Sequence, residues 1–140
     1  MEPSSDASDA WAAAMAEEAR ELLTMLDGDP GLIDRDPVQA LAWLEAELAD
    51  VDTRDYTEDE LRPFMSRVMS LLAEIIIRLH DAQWVTHPGA PPADLHVLAG
   101  GRLKAPVRIG PLVTRAFCQP RVSAVAMLNE AESEGRLRVF

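Results

Sequence analysis

The chain has 140 residues, 48% of them hydrophobic and 26% charged, with a formal net charge of −11. That is enough apolar content for one ordinary domain with its own core, and it excludes the composition of a disordered or fibrous protein. No apolar run reaches the roughly 20 residues of a membrane span, and the acidic balance of the whole chain repels phosphate and argues against nucleic acid as a partner.

The opening MEPSSDASDAW is acidic and has neither a positive n-region nor an apolar h-region, so no secretory signal is expected. Cys118 is the single cysteine, which rules out an intramolecular disulfide and points to a reducing cytoplasm. Of the 13 basic residues all but Lys104 are Arg. With the heavy use of Ala, this is the residue usage of a GC-rich bacterial genome. Charge is segregated along the chain. Residues 1–60 hold 18 acids against 3 bases and residues 61–140 hold 6 against 10, with no acid between Leu95 and Asn129. Such halves attract one another within a chain or between two copies.

Residues 1–8 read as a tail and 9–140 as a single domain, its acidic helical part running to residue 60. A first helix is expected over Asp9–Leu26, with Trp11, Met15, Leu22 and Leu26 in one arc and Gly28 as its stop. The turn-rich DGDPGLIDRD follows, pinned by Leu32 and Ile33. Asp36 and Pro37 have the form of an N-cap and first residue, starting a second helix that runs to about Asp52. Leu41, Leu44, Leu48 and Val51 make its apolar face. Trp43 points well away from that face, so it is either covered by the first helix or part of an interface rimmed by Glu45, Glu47 and Asp50.

Thr57–Glu60 is a capping box. Pro63 lies too deep behind it for an undisturbed helix, so the expectation is a short turn, a kink and a main helix from Pro63 to Asp81. Phe64, Met65, Val68, Met69, Leu71, Leu72, Ile75, Ile76, Ile77 and Leu79 cover most of that helix, leaving one polar stripe of Arg67, Ser70, Glu74, Arg78 and Asp81. A helix so apolar must be wrapped on several sides, and the other elements are expected to gather around it.

The period then changes from 3.6 to 2. AQWVTH, the turn PGAPPA and DLHVLA form a hairpin, and RLKAPVRI after Gly100-Gly101 reads as a third strand, held to an edge by Pro106. A short helix over Leu112–Phe117 and a last one over Arg121–Glu134, presenting Val122, Val125, Ala126 and Leu128, complete the chain. Gly135 ends the last helix, and Arg136–Phe140 either adds a strand or trails off. The fold class is therefore α+β: N-terminal helices and a central apolar helix on a small three-stranded antiparallel sheet, with a C-terminal helix. The layout LLAEIIIRLHDAQW, LHVLAG and Pro111-Leu112-Val113 resembles a broad group of small bacterial domains of unknown function over about residues 63–130. Ala73 stands where that group often has Gly before the helical Glu. The resemblance implies a helix-plus-small-sheet fold and carries no activity or catalytic residue.

Candidate chemistry is sparse. His80, His87 and His96, with Asp94 or Cys118, have no common zinc spacing, so no metal or other cofactor is expected. Cys118 has no base near it in sequence and reads as a buried or half-buried small hydrophobe. Glu74 and Arg78 are an i,i+4 pair, either a solvated face or ion pair, or, with His87, the polar track of a pocket between the central helix and the sheet. No catalytic residue is assigned. The leading expectation is a non-enzymatic interaction module, a small regulator, adaptor or immunity-type binder that meets a protein partner or itself, as in a homodimer. The alternatives are a small-molecule or enzymatic pocket beside the sheet, and an acidic mimic of nucleic acid.

Overall fold

The computed structural model describes residues 4–137 and combines helices with a two-stranded antiparallel sheet. In chain order the elements are α1 (Ser5–Met25), α2 (Leu32–Arg35), α3 (Pro37–Leu48), a 3₁₀ turn (Thr53–Asp55), α4 (Glu58–His80), β1 (Gln83–Thr86), α5 (Pro92–Leu95), β2 (His96–Ala99), α6 (Ile109–Phe117) and α7 (Ala124–Glu134). Of the strand or tail expected over Arg136–Phe140, Arg136 and Leu137 belong to no strand, and residues 138–140 lie outside the described ones.

Helix α4 lies at the centre, as its composition demands. Val68, Leu71, Leu72, Ala73, Ile75 and Ile76 are sealed, and Phe64, Met65, Met69, Ile77 and Leu79 pack half-buried against the same cluster. α1 lies along it, with α3, α6 and α7 closing other flanks. Much of the polar stripe is covered too, with Asp81 at its end left exposed. Ser70 is fully buried, its hydroxyl donating to Ser66 O at 2.9 Å, which satisfies a polar group that water cannot reach. Ser66 Oγ donates to Glu18 Oε1 of α1 at 3.1 Å. Arg78 joins Glu74 at 2.9 Å to Asp34 of α2 at 2.5 Å.

The helix begins five residues before the expected start at Pro63. Both halves of the capping box are made, Glu60 N–H to Thr57 Oγ1 at 3.2 Å and Thr57 N–H to Glu60 Oε1 at 2.8 Å. Pro63 sits inside the helix. The ring removes the one N–H that would meet the Asp59 carbonyl; both residues are exposed, so the oxygen is not sealed from solvent, and the box holds the turn. α3 ends at Leu48 rather than Asp52, because Asp52 Oδ1 accepts from Arg54 N and caps the following 3₁₀ turn instead.

The third strand does not form. Its segment makes one isolated bridge, Leu98 with Val107. The other amides go elsewhere: Arg102 N–H to His80 O at 2.8 Å, Leu103 N–H to Gly100 O at 3.0 Å and Lys104 N–H to Gly135 O at 2.9 Å, while Pro106 has none to give. Gly101 allows that path. Its φ is +58°, and a Cβ there would stand 2.0 Å from Asp81 O, so the chain passes directly over the end of α4.

Two further expectations need correction. α7 starts at Ala124 with Ser123 as its cap, so its buried face is Ala124, Met127, Leu128 and Ala131, and Val125 and Ala126 are exposed. Cys118 is exposed at the C-cap of α6, rather than buried or half-buried.

Candidate functional site

The sheet places two aromatic residues on its inner face. Alternation puts Trp84 and Thr86 on one side of β1, and the register pairs them with Leu98 and His96 of β2. Thr86 Oγ1 lies 2.9 Å from His96 Nδ1, a cross-strand hydrogen bond that fixes the imidazole plane. Burial holds the His96 pKa below the usual histidine range, so the ring is neutral at pH 7.

The third aromatic comes from α1, whose start is strapped to the free edge of β1. Ser4 N–H donates to Thr86 O at 2.9 Å and Thr86 N–H donates to Ser8 Oγ at 2.8 Å, which also protects the strand edge. One turn on, Trp11 lies flat on His96, with centroids 3.5 Å apart and planes within 3°, and meets Trp84 edge to face at 5.7 Å.

These rings wall a cavity of about 180 Å³, closed by Met69 of α4, Pro92 and Ala93 of α5, and Ile109, Gly110 and Pro111 of α6. Met69, Pro92, Ala93, Gly110 and Pro111 also border a wider, more open groove of about 600 Å³ that continues past Arg62 and Arg115. Trp84 is 4% exposed, and both Trp84 Nε1 and Trp11 Nε1 are buried with no hydrogen-bond acceptor among the described residues. An indole N–H can only donate, and leaving one buried without an acceptor costs about 1–3 kcal/mol. Neither nitrogen has surface that a water molecule could touch, so both are covered by packing and neither opens onto the cavity.

The residues singled out from the sequence are placed differently. Glu74 and Arg78 come together, but their pair turns to Asp34 of α2, away from the cavity, and serves as a tether. His87 lies just after β1, where its backbone N–H donates to Leu95 O at 2.8 Å to close the hairpin. The histidine beside the cavity is His96. Trp43 packs its ring over Gly28 at the end of α1, where a Cβ would stand 2.9 Å from the indole. Of its expected rim, Glu45 accepts from Ser123 Oγ at 2.9 Å and Val125 N–H at 3.0 Å, capping α7. Asp50 is exposed, and Glu47 lines a separate cavity of about 260 Å³ beside Leu26, Tyr56 and Phe64.

Three arginines of the basic segment are engaged: Arg108 with Asp94 at 3.5 Å, Arg115 with Glu130 at 2.7 Å, and Arg121 on the Ala49 and Val51 carbonyls just past the end of α3. His80 Nε2 lies 2.9 Å from Glu132. Among the described residues no group of three or more His, Cys, Asp or Glu side chains could hold a metal ion, and no helix is long and apolar enough to cross a membrane. The chain matches no protein-family model, and no characterised protein or solved structure is significantly similar to it.

Proposed function

We propose that this chain is a non-enzymatic binding module that takes a small, largely apolar ring in the chamber among Trp11, Trp84 and His96. The observation that carries the reading is a cavity of about 180 Å³ walled by three aromatic rings together with Met69, Ile109, Pro92 and Pro111. A small ring there would meet aromatic and aliphatic surface on several sides, which is how a mostly apolar pocket holds what it binds. The chemistry of the walls supports binding over catalysis. The one titratable side chain among them, His96, has Nδ1 tied to Thr86 and one ring face covered by Trp11. In a bacterial cytoplasm such a module suits a small regulator that responds to a metabolite.

The test follows the three indole Nε1–H resonances of the ¹⁵N-labelled chain during titration with a library of single-ring fragments. Binders are expected to move the Trp11 and Trp84 signals and leave Trp43 in place, since its ring packs on Gly28 instead. A library that moves none of the three, or only Trp43, rejects the reading.

A second reading is favoured by the cavity at Glu47. Tyr56, 48% exposed, and Phe64 line it together with Leu61. Charge segregation makes a second copy of this chain, offering its basic half, the matching occupant. Light scattering at low salt would then give a dimer mass that Tyr56→Glu or high salt returns to monomer; a monomer at every concentration up to millimolar rejects it.

A further inference from the structure

Resting on the second reading above, we infer that the cavity at Glu47 is an arginine socket for a second copy of this chain, filled by Arg102 in a closed antiparallel dimer. The walls suit a guanidinium on a hydrocarbon stem. Tyr56 and Phe64 bring aromatic rings, and Leu26, Val51 and Leu61 bring aliphatic surface, to a space of about 260 Å³. An arginine stacks its plane on aromatic rings and lays its methylenes along apolar walls.

Glu47 and Glu60 supply the opposite charge, and no lining residue is Arg or Lys. Glu47 is half-buried, its carboxylate takes no hydrogen bond or ion pair among the described residues, and neither of its oxygens is sealed from solvent. Glu60 is exposed and stays ionised, because the Thr57 N–H bonded to it at 2.8 Å holds its carboxyl below the usual carboxylate range.

The matching charge lies at the opposite end of the central helix. Arg102, Lys104 and Arg136 are exposed and in no ion pair among the described residues, and the Lys104 N–H bond to Gly135 O at 2.9 Å sets Arg136 beside the other two. The Arg102 N–H bond to His80 O at 2.8 Å fixes this basic group at the C-terminal end of α4, whereas Glu60, Leu61 and Phe64 place the cavity at its N-terminal end. The 23 residues of α4 separate the two by about 34 Å. Two copies lying antiparallel along α4 put each basic end over the other's cavity, so one contact is made twice about a two-fold axis. At 0.1 M salt the screening length is about 10 Å, so repulsion between two chains of net charge −11 fades while a direct guanidinium–carboxylate contact persists.

The test is the mass of the full chain in 0.1 M salt, by light scattering and sedimentation equilibrium. The native chain is expected to dimerise, and Arg102→Ala to weaken the dimer at least about tenfold, since each dimer loses two contacts. Arg102→Lys keeps the charge without the plane and should fall between them. Arg102→Glu and Glu47→Arg are each expected to be monomeric alone and to form a heterodimer when mixed, because the exchanged charges face each other at one contact and the native pair is kept at the other. A native chain that stays monomeric up to millimolar concentration overturns the second reading and this inference together. A dimer that Arg102→Ala leaves unchanged, or charge-exchanged variants that fail to pair, overturns the arginine socket and leaves the second reading standing. Mass that climbs past the dimer with concentration overturns the closed antiparallel arrangement.

Discussion

Replacing Gly101 by Ala is expected to be among the most costly single-methyl additions in the molecule. The backbone there is left-handed, with φ at +58°, which costs an L-residue about 1–2 kcal/mol. The new Cβ would also stand 2.0 Å from Asp81 O and 2.4 Å from His80 O, both backbone atoms that cannot swing away as a side chain would. Relief requires the segment to lift by more than 1 Å from the end of α4. That movement breaks the Arg102 N–H bond to His80 O, now 2.8 Å, for about 1 kcal/mol net. The total is about 3–5 kcal/mol with the remaining steric strain included, a large share of a typical domain's stability. Gly89→Ala is the matched control. Its φ is +82° and no atom lies within 4 Å of the built Cβ, so only the conformational cost of about 1–2 kcal/mol applies. Urea unfolding followed by far-UV circular dichroism gives both values. If Gly101→Ala costs no more than Gly89→Ala, the close passage over α4 is refuted.

Arg78→Ala strands the Glu74 carboxylate at 6% exposure and is expected to cost about 2–4 kcal/mol, below the value for a fully buried pair because Arg78 is itself partly exposed. Adding Glu74→Gln should recover part of that loss in a double-mutant cycle, and strict additivity would contradict the pairing. Glu45→Ala removes the side chain that accepts from Ser123 and Val125, and should lower stability by about 1–2 kcal/mol, with local loss of amide protection in the first turn of α7 seen by hydrogen exchange. His96 has a pKa depressed by burial, so the unfolded chain binds its proton more readily. Its contribution to stability is complete above pH 6.5 and falls as pH drops from there through the folded-state pKa. His96→Phe, which keeps a ring against Trp11, should flatten the pH 7 to 5 slope of the urea midpoint, and an unchanged slope would contradict that assignment.

The central helix was legible because ten large apolar residues on one segment leave few arrangements open. The caps were legible for a local reason: Asp36, Thr57 with Glu60, and Gly135 act within four residues of themselves, so tertiary structure has little chance to overrule them. The third strand failed because alternation in RLKAPVRI records which side chains are buried and says nothing of where the amides go. Lys104 N–H is claimed by Gly135, more than thirty residues later. The site was hidden for the same reason. Trp84 and His96 stood on the expected hairpin, but the pairing of Thr86 with His96 fixes which histidine faces inward, and Trp11 arrives from a helix separated by more than seventy residues. The polar stripe of α4 drew attention to Glu74 and Arg78, whose purpose is to hold α2. Two tryptophans with nothing to accept their protons have no signature in a one-dimensional string.

The central claim is that the chamber among Trp11, Trp84 and His96 takes a small ring. A crystal structure of the chain soaked with a single-ring fragment that moves the Trp11 and Trp84 resonances tests it most directly. Density for the fragment is expected beside Met69 and Ile109, against the Trp11 and Trp84 rings. Density placed instead in the cavity at Tyr56 and Phe64 would contradict it.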